Sequence, residues 1–259
     1  MASPRRFSVT AHATTIAAAH VQPHHRATDL TNIYVTGTDT GVGKSLVSAA
    51  LLHALRARGL RALGMKPVAS GSVLCNGQWQ NDDALALRAA GSTPWPDYAQ
   101  INPFALPAPT APEIAAELAG ITVSLPPLLA AHRALAAQAD WVVVEGVGGW
   151  CAPLAAGIEQ ADLVAALGAI PVLLVVGIRL GCINHARLSA RAVLADGHTL
   201  MGWVGSVIDP AMAHRERTCD ILRRELPAPC LGLLEHMGAP DPATLATQIV
   251  LPRQAFRHW

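Results

Sequence analysis

The chain has 259 residues and a net charge of +1, with 51% hydrophobic and 14% charged residues. This composition fits a compact globular domain, and it excludes both a highly charged disordered chain and a strongly basic nucleic-acid-binding protein. Five widely spaced cysteines without a C-x-x-C pair argue against a disulfide framework or a zinc site, and no apolar run reaches the roughly 18 to 20 residues of a membrane span. We therefore expect a cytoplasmic protein with no nucleic-acid or membrane partner.

Residues 1–30 differ in composition from the rest of the chain. They contain arginines and histidines but no acidic residue before Asp29. This bias loosely resembles an organelle presequence, although it lacks the apolar core and cleavage pattern of a secretory signal. We expect residues 1–30 to be a disordered extension and residues 31–259 to form one domain.

From residue 32 onward, predicted strands and helices alternate. The segment "NIYVT" predicts a strand, "GKSLVSAALLHALRARG" a helix, "RALGMKPVA" a second strand, and "NDDALALRAA" a helix that Asn81 or Asp82 can cap. The proline-rich "INPFALPAPTAPEIAAEL" predicts a loop and then a helix that begins with a capping box from Thr110 to Glu113.

Three apolar runs in the second half are too short for core helices and predict central strands. They are "WVVVEG", "IPVLLVVG" and "MGWVGSVI", and helices are predicted around residues 124–139, 184–196 and 214–225. The alternation predicts an α/β fold with a mostly parallel sheet and helices on both faces.

The stretch "TGTDTGVGKS", Thr36 to Ser45, resembles a nucleotide-phosphate loop with one extra residue. Five residues, not four, separate Gly37 from Gly43. Because the stretch joins a predicted strand to a predicted helix, backbone N–H groups and the helix dipole would converge on an anion. Lys44 would reach the β- and γ-phosphates, and Ser45 would offer a hydroxyl to magnesium. The alternative is a glycine-rich turn that merely starts a helix, and the context favours a single-domain fold like that of the P-loop NTPases.

Four further polar residues are expected at the same edge of the sheet. Lys66 and Ser70 lie in "MKPVASG", at the end of the second predicted strand, where an open α/β sheet has its ligand crevice. Asp83 lies near the start of a helix and Glu145 ends the strand in "WVVVEGVGG", and both suit a magnesium ion. The simpler alternatives are a solvated lysine, a helix cap at Asp83 and an exposed acid at Glu145.

The segment "VGIRLGCINHA" follows a buried strand and opens a helix. The amides of Gly181, Cys182 and Ile183 could receive a carboxylate, as the first loop receives phosphate. No sequence feature indicates a base that would activate the Cys182 thiol, so we interpret this cysteine as structural.

Phosphate binding leaves two functions open, an enzyme or a switch ATPase of the partitioning and targeting kind. The switch proteins carry a second lysine, in the form K-G-G-x-G-K. When the G-K-S ends are aligned, Asp39 stands at the position of that lysine. The missing lysine favours an enzyme.

Taken together and in this order, the motifs resemble the dethiobiotin synthetase family. The resemblance extends from Asn32 to about Leu234 and includes "TGTDTGVGKS", "KPVASG", "NDDALAL", "INPFALPAPTAPE", "WVVVEGVGGW", "VGIRLGCINHA" and "GWV". It implies a cyclo-ligase of biotin biosynthesis that converts 7,8-diaminopelargonate, CO2 and ATP into dethiobiotin, ADP and phosphate. The reaction would need Mg²⁺ and pass through a carbamate and a carbamic-phosphoric mixed anhydride.

The resemblance also implies roles for individual residues, with Lys44 and Lys66 as the catalytic ones. The ATP phosphates would be bound by Asp39, Thr40, Gly41, Val42, Gly43, Lys44 and Ser45. Magnesium would be held by Ser45, Asp83 and Glu145, and Ser70 and Gly148 would contact the diamine. The active unit would be a homodimer, in which the second subunit binds the substrate's distal carboxylate through Leu180, Gly181, Cys182, Ile183 and Asn184.

The chain departs from the family pattern at four positions. Ser206, the candidate for the base side of ATP, stands where relatives often carry an asparagine that reads adenine, and a serine lacks the paired donor and acceptor of an amide. Ala111 and Glu113 replace a common serine and histidine, and Gly41 replaces a frequent glutamate. The closest alternative enzyme is an amide-forming ligase of the cobyrinate type, but those carry a C-terminal glutaminase domain, and only about 25 residues follow Leu234.

Overall fold

The computed structural model describes residues 32–251. The extension expected at residues 1–30 lies outside these described residues. The strands are β1 (Asn32–Gly37), β2 (Ala62–Met65), β3 (Val68–Ser70), β4 (Val73–Cys75), β5 (Gln78–Gln80), β6 (Phe104–Leu106), β7 (Trp141–Gly149), β8 (Val172–Ile178), β9 (Leu200–Val207) and β10 (Cys230–Leu234). The helices are α1 (Lys44–Arg56), α2 (Asp82–Ala90), α3 (Tyr98–Ile101), α4 (Pro112–Ala119), α5 (Leu125–Ala136), α6 (Gln160–Ala166), α7 (Cys182–Ala195), α8 (Arg215–Glu225) and α9 (Pro242–Leu245).

Six parallel strands form the main sheet, in the order β10-β9-β8-β1-β7-β2. Alternate residues of each central strand face opposite sides, and both sides are apolar: in β1, Tyr34 packs in one core, and Ile33 and Val35 pack in the other. Helices α5, α6, α7 and α8 cover the first side, and α1, α2 and α9 cover the second. The predicted α/β fold with helices on both faces is confirmed.

This arrangement puts the chemistry at the carboxyl ends of the central strands. Strands β1 and β8 are neighbours, but the helices that follow them, α1 and α7, pack on opposite faces of the sheet. A crevice opens between the loops where consecutive helices diverge in this way. The phosphate loop, which joins β1 to α1, lies at that crevice.

The predicted single strand "RALGMKPVA" is wrong, because it forms two strands. Pairing of β2 with β7 ends at Met65, and Lys66 turns its N–H away to the Ile101 carbonyl. Pro67 has no N–H to continue the ladder, so β3 leaves the main sheet and pairs with β6 instead. The segment predicted as a loop before α4 therefore contains a strand.

Two local predictions at helix starts had different outcomes. Asn81 caps α2, as predicted, and its side chain accepts a hydrogen bond from the Asp83 N–H. The capping box from Thr110 to Glu113 is wrong, because α4 begins one residue later with Ala111 as the N-cap and without a side-chain cap. Pro112 explains the shift, since proline is favoured at the first helical position.

A hairpin of β4 and β5 was missed between the second strand and α2. Its turn is Asn76–Gly77, and both residues have left-handed φ angles of 50° and 79°. An Asn-Gly pair between short strands is a recognised hairpin signal, so the sequence contained this information. The five cysteines are free, and within residues 32–251 no helix has the length and apolar character needed to cross a membrane.

Candidate active site

The phosphate loop is a tight turn between the end of β1 and the start of α1. Gly43 is the N-cap of α1, with a left-handed φ of 89° that favours glycine. Gly37 has no room for a side chain, because a Cβ would lie 2.8 Å from Val42 Cγ2 and 3.0 Å from Lys44 Cγ. The Val42 side chain is buried in the core, so its predicted contact with phosphate can come only from its backbone.

Lys44 is buried beneath its own loop. Its Nζ donates to the Asp39 carbonyl at 2.9 Å and to the Gly148 carbonyl at 2.8 Å. Both acceptors are neutral. Burial, reinforced by the positive charge of Lys66, outweighs the more distant carboxylates and lowers the pKa of Lys44 to about 8. An anion in front of Lys44 would therefore supply negative charge that this lysine lacks.

Lys66 lies in the opposite electrostatic situation. Its Nζ is 2.6 Å from Glu145 Oε1 and 3.0 Å from Asp83 Oδ2, and it also donates to the Gly146 carbonyl at 3.1 Å. Burial disfavours its charge, but the two carboxylates more than compensate and raise the pKa of Lys66. Lys66 is therefore an ammonium ion at neutral pH, held between two acids.

The two acids and Ser45 form one cluster, as predicted. Ser45 Oγ donates to Glu145 Oε1 at 2.8 Å. Burial opposes ionisation of Asp83, but the positive charge of Lys66 more than compensates and lowers the pKa of Asp83 below its ordinary value. Glu145 is fully buried, and within residues 32–251 its second oxygen, Oε2, has no hydrogen-bond donor. A buried carboxylate oxygen without a partner is costly unless a cation completes it.

A cavity of about 790 Å³ opens in front of these groups. Of the predicted site residues, it is lined by Thr40, Gly41, Gly43, Lys44, Ser45, Lys66, Ser70, Asp83 and Gly148. Its volume lies in the range of pockets that bind small molecules and cofactors. The prediction that residues from four separate segments meet at one edge of the sheet agrees with this geometry.

Asn81 also lines the cavity, although the sequence indicated only a helix cap. Its Nδ2 donates to the Ser70 carbonyl at 3.1 Å, while its Oδ1 accepts from the Asp83 N–H at 3.0 Å. The side chain thus joins β3 to α2 and sets the distance between Ser70 and Asp83. No spacing signal in the sequence pointed to this second role.

The scarcity of lysine in the sequence also pointed to the site, and the sequence analysis did not use it. The chain has 19 basic residues, and only Lys44 and Lys66 among them are lysines. Both line the cavity. Arginine supplies the remaining basic side chains, so the two lysines are confined to the site.

The segment Leu180–Asn184 does not line this chain's own cavity. Leu180 is 89% exposed, while Cys182 is buried and burial raises the pKa of its thiol, in agreement with a structural role. The Cys182 N–H already donates to the Arg179 carbonyl at 3.1 Å, so a carboxylate here would have to be received by the neighbouring amides. Arg179, which sequence reasoning did not single out, forms an ion pair with Asp39 of the phosphate loop at 2.7 Å.

Ser206 lies at the end of β9 and is buried. Its hydroxyl packs against the phosphate loop, since a Cβ on Gly43 would lie only 2.5 Å from Ser206 Oγ. The side chain does not line the cavity. Its predicted contact with the nucleotide base stays a prediction.

Known proteins resemble this chain over most of its length. A family model described as an AAA domain matches residues 31–244. The ATP-dependent dethiobiotin synthetase BioD of Xylella fastidiosa (strain Temecula1) is 59% identical over 221 residues, which cover 85% of this chain and 97% of the relative. The corresponding protein of Xanthomonas euvesicatoria pv. vesicatoria is 57% identical over 220 residues, with the same coverage. The chain belongs to the dethiobiotin synthetase family. The predicted family and the predicted ligase class are confirmed.

Solved structures show the fold but not the function. A ParA family ATPase from Chlorobium tepidum superposes with a TM-score of 0.54 at 11% identity, covering 88% of this chain and 99% of that one. The MinC:MinD cell division complex of Aquifex aeolicus gives a TM-score of 0.51 at 16% identity, covering 87% and 94%. The P-loop fold is thus shared with proteins of another function, and family membership rests on the sequence identity to dethiobiotin synthetases.

Proposed function

We propose that this protein closes the ureido ring of dethiobiotin in the cytoplasm, as a step of biotin biosynthesis. The reaction converts 7,8-diaminopelargonate, CO2 and ATP into dethiobiotin, ADP and phosphate. The observation that supports it is the meeting of Lys44, Lys66 and Asp83 at one cavity, with Glu145 buried against Lys66, in a chain of the dethiobiotin synthetase family.

The three chemical stages need positioned charge more than covalent help from the protein. One amine of the diamine bonds to CO2 and loses a proton, which gives a carbamate. The carbamate oxygen takes the γ-phosphoryl group from ATP and releases ADP. The second amine then attacks the carbamate carbon, closes the ring and expels phosphate. Negative charge grows on oxygens in each stage, and two buried lysines at one cavity suit its stabilisation.

Lys44 and the start of α1 are the candidates for the phosphate side. The N-terminus of α1 points its backbone N–H groups and its dipole toward the cavity, and Lys44 adds a charge whose hydrogen bonds go to the neutral carbonyls of Asp39 and Gly148. Thr40, Gly41 and Gly43 line the same wall. ATP phosphates bound there would lie within reach of the two lysines that the reaction needs.

Ser45, Asp83 and Glu145 fit a magnesium ion. They offer one hydroxyl and two carboxylates, the hard oxygen ligands that Mg²⁺ prefers, and Glu145 Oε2 is buried without a hydrogen-bond donor among the described residues 32–251. A bound Mg²⁺ would neutralise part of the phosphate charge. In the unliganded protein the ammonium of Lys66 supplies positive charge to both acids.

The diamine would lie on the side of the cavity that Ser70 and Gly148 line. We propose that the active unit is a homodimer in which Leu180–Asn184 of a second copy binds the distal carboxylate of the diamine. Two features support this: the segment is displayed at the surface, with Leu180 89% exposed, and it does not reach the cavity of its own chain.

The deciding experiment is mass spectrometry of the product formed from diaminopelargonate, ¹³C-bicarbonate and Mg-ATP. We expect dethiobiotin that carries one ¹³C atom and one phosphate released per ring closed. Lys66→Ala should abolish this product, and Arg217→Ala, which removes an exposed cation of α8, should not. ATP hydrolysis that proceeds at the same rate without the diamine, and without labelled dethiobiotin, would refute the proposal.

A further inference from the structure

Gln160 is a fully buried polar residue directly behind the cavity, and the reaction as proposed does not use it. It is the first residue of α6 and has no exposed surface. Its side-chain nitrogen donates to four main-chain carbonyls, those of Val147, Gly149, Trp150 and Ala152. Three of these contacts, to Val147, Trp150 and Ala152, measure 3.0, 3.1 and 3.2 Å. One amide group thus binds the end of β7 and the turn that follows it.

Tyr34 fixes the orientation of this amide. The Tyr34 hydroxyl donates to Gln160 Oε1 at 2.9 Å, so the NH2 group must face the carbonyls. Burial, with the nearby charge of Glu145, raises the pKa of Tyr34 far above its ordinary value, and the hydroxyl stays a donor. Gly146 leaves the space for this contact, since a Cβ there would lie 2.2 Å from Gln160 Oε1 and 2.6 Å from the Tyr34 hydroxyl oxygen.

The carbonyls at the end of β7 alternate between Gln160 and the two lysines. Those of Val147 and Gly149 accept from Gln160. The Gly146 carbonyl accepts from Lys66 Nζ at 3.1 Å, and the Gly148 carbonyl accepts from Lys44 Nζ at 2.8 Å. Residues 146–149 are the last of β7, and Gly148 has a left-handed φ of 53°, so the directions of these carbonyls depend on the contacts that hold them. Because Gln160 holds the Val147 and Gly149 carbonyls, the other two carbonyls are directed toward the lysines.

We propose that Gln160 is a positioning residue for Lys44 and Lys66, which acts by holding alternate carbonyls of residues 146–149 so that the remaining ones aim both ammonium groups at the nucleotide phosphates. This rests on the proposed function for the chemical step, but the effect on nucleotide binding needs only the phosphate loop. Glutamine suits the role because its NH2 group supplies two hydrogens that four carbonyls share, and its oxygen accepts from Tyr34.

A graded set of variants separates positioning from packing. Gln160→Met keeps the length of the side chain and removes every hydrogen bond, whereas Tyr34→Phe removes only the group that orients the amide. Gln160→Glu presents a second oxygen to the carbonyls. Val164→Ala is the matched control, because Val164 is equally buried in the same helix and packs in the apolar core, and its side chain has no hydrogen-bond donor for the carbonyls.

The measurements are melting temperature, the Kd of ATP by calorimetry, and kcat with separate KM values for ATP and the diamine. We expect Gln160→Met to lower kcat by roughly 10- to 100-fold and to weaken ATP binding about tenfold, since a misplacement of about 1 Å has effects of this size. Tyr34→Phe should lower kcat and weaken ATP binding by about three- to tenfold. Gln160→Glu should cause the largest loss of kcat and of ATP affinity. Val164→Ala should lower only the melting temperature.

Wild-type kcat and ATP affinity in folded Gln160→Met and Tyr34→Phe would overturn the proposal. The proposal would also be overturned if the losses of kcat and ATP affinity were proportional to the drop in melting temperature in these variants and in Val164→Ala alike. A purely structural residue gives that pattern. If Gln160→Met does not fold, Tyr34→Phe decides the question. If the wild-type protein binds ATP but makes no dethiobiotin, the proposed function fails, while the ATP affinities still decide whether Gln160 positions the lysines.

Discussion

Two turns that follow neighbouring strands both lead from a strand through a left-handed glycine into a helix. They differ in the side chains around them and in their exposure to solvent. The phosphate turn runs from Gly37 to Lys44 after β1, and the second turn runs from Arg179 to Cys182 after β8. Each ends in a left-handed glycine N-cap, Gly43 with φ of 89° and Gly181 with φ of 93°. The first turn encloses a buried lysine and faces the cavity, whereas the second displays Leu180 to solvent.

The difference shows what the backbone decides and what the side chains decide. A strand–glycine–helix turn presents N–H groups to an anion, whichever side chains it carries. A polyphosphate also requires cations, and two buried lysines, Lys44 and Lys66, line the cavity that the first turn faces, whereas Arg179 of the second turn is paired with Asp39. The second turn offers amides at an exposed position, which suits a singly charged carboxylate brought by another molecule.

Among the changes that compare the two turns, the largest expected effect comes from removing the cation of the phosphate turn. Lys44→Met should lower kcat by about 10²- to 10³-fold, because the variant loses a charge that stabilises developing negative charge on oxygen. Steady-state dethiobiotin formation and calorimetric ATP binding provide the measurement. Arg179→Met is the matched control in the second turn, and it should change kcat by less than about threefold. Equal losses in the two variants would contradict the difference between the turns.

Alanine substitution of the two capping glycines should separate crowding from backbone strain. A left-handed alanine costs about 1 to 2 kcal/mol in either turn. At Gly181 a Cβ has open space, but at Gly43 it would also lie 2.5 Å from Ser206 Oγ. We therefore expect Gly43→Ala to lower the free energy of unfolding by about 1 to 3 kcal/mol more than Gly181→Ala does, as measured in urea.

Ser206→Gly provides the control for that comparison. Combined with Gly43→Ala it removes the crowded hydroxyl and should bring the loss down toward that of Gly181→Ala. If the double variant is no more stable than Gly43→Ala alone, crowding against Ser206 does not explain the difference.

The pH dependence of ATP binding should follow Lys44. Its pKa of about 8 in the free protein lies below the roughly 10.4 of an unfolded lysine, because burial disfavours the charge. ATP binds the charged form, so its affinity should be full below pH 8 and fall by up to about tenfold per pH unit above it. For the unliganded protein the sign is opposite: the unfolded chain keeps the proton up to about pH 10.4, so the contribution of Lys44 to stability rises between pH 8 and 10.4.

Calorimetry from pH 7 to about 9.5 measures this effect, and Lys44→Arg is the control because a guanidinium does not titrate in that range. Reductive methylation provides an independent check, since the chain has only two lysines. Lys44 should be methylated at pH 8 before Lys66, whose pKa is raised by Glu145 and Asp83. A decline in ATP affinity that persists in Lys44→Arg would assign the titration to another group.

Sequence reasoning found the parts of this site that follow from where strands end. Lys66 and Glu145 were placed together because carboxyl ends of parallel strands share one edge, and the structure brings them to 2.6 Å. The pairing of β3 with β6 was not predictable in this way, since two three-residue strands far apart in the chain carry no periodic signal. Gln160 shows the same limit, because its importance lies in which carbonyls it reaches and not in its residue type.

The smallest expected effect concerns the ion pair that joins the two turns, Arg179 with Asp39 at 2.7 Å. Both side chains are nearly half exposed, so their coupling should add less than about 1 kcal/mol to stability and shrink further in high salt.

Loss of the Arg179–Asp39 ion pair should weaken the binding of ATP. In Arg179→Met, the unpaired Asp39 carboxylate stands in the phosphate loop and repels ATP, so we expect the Kd to rise about two- to threefold. Adding Asp39→Asn removes that charge and should restore the affinity, which a double-mutant cycle on the Kd of ATP measures directly. If the double variant binds ATP as weakly as Arg179→Met, Arg179 affects ATP binding by a route other than neutralising the Asp39 carboxylate.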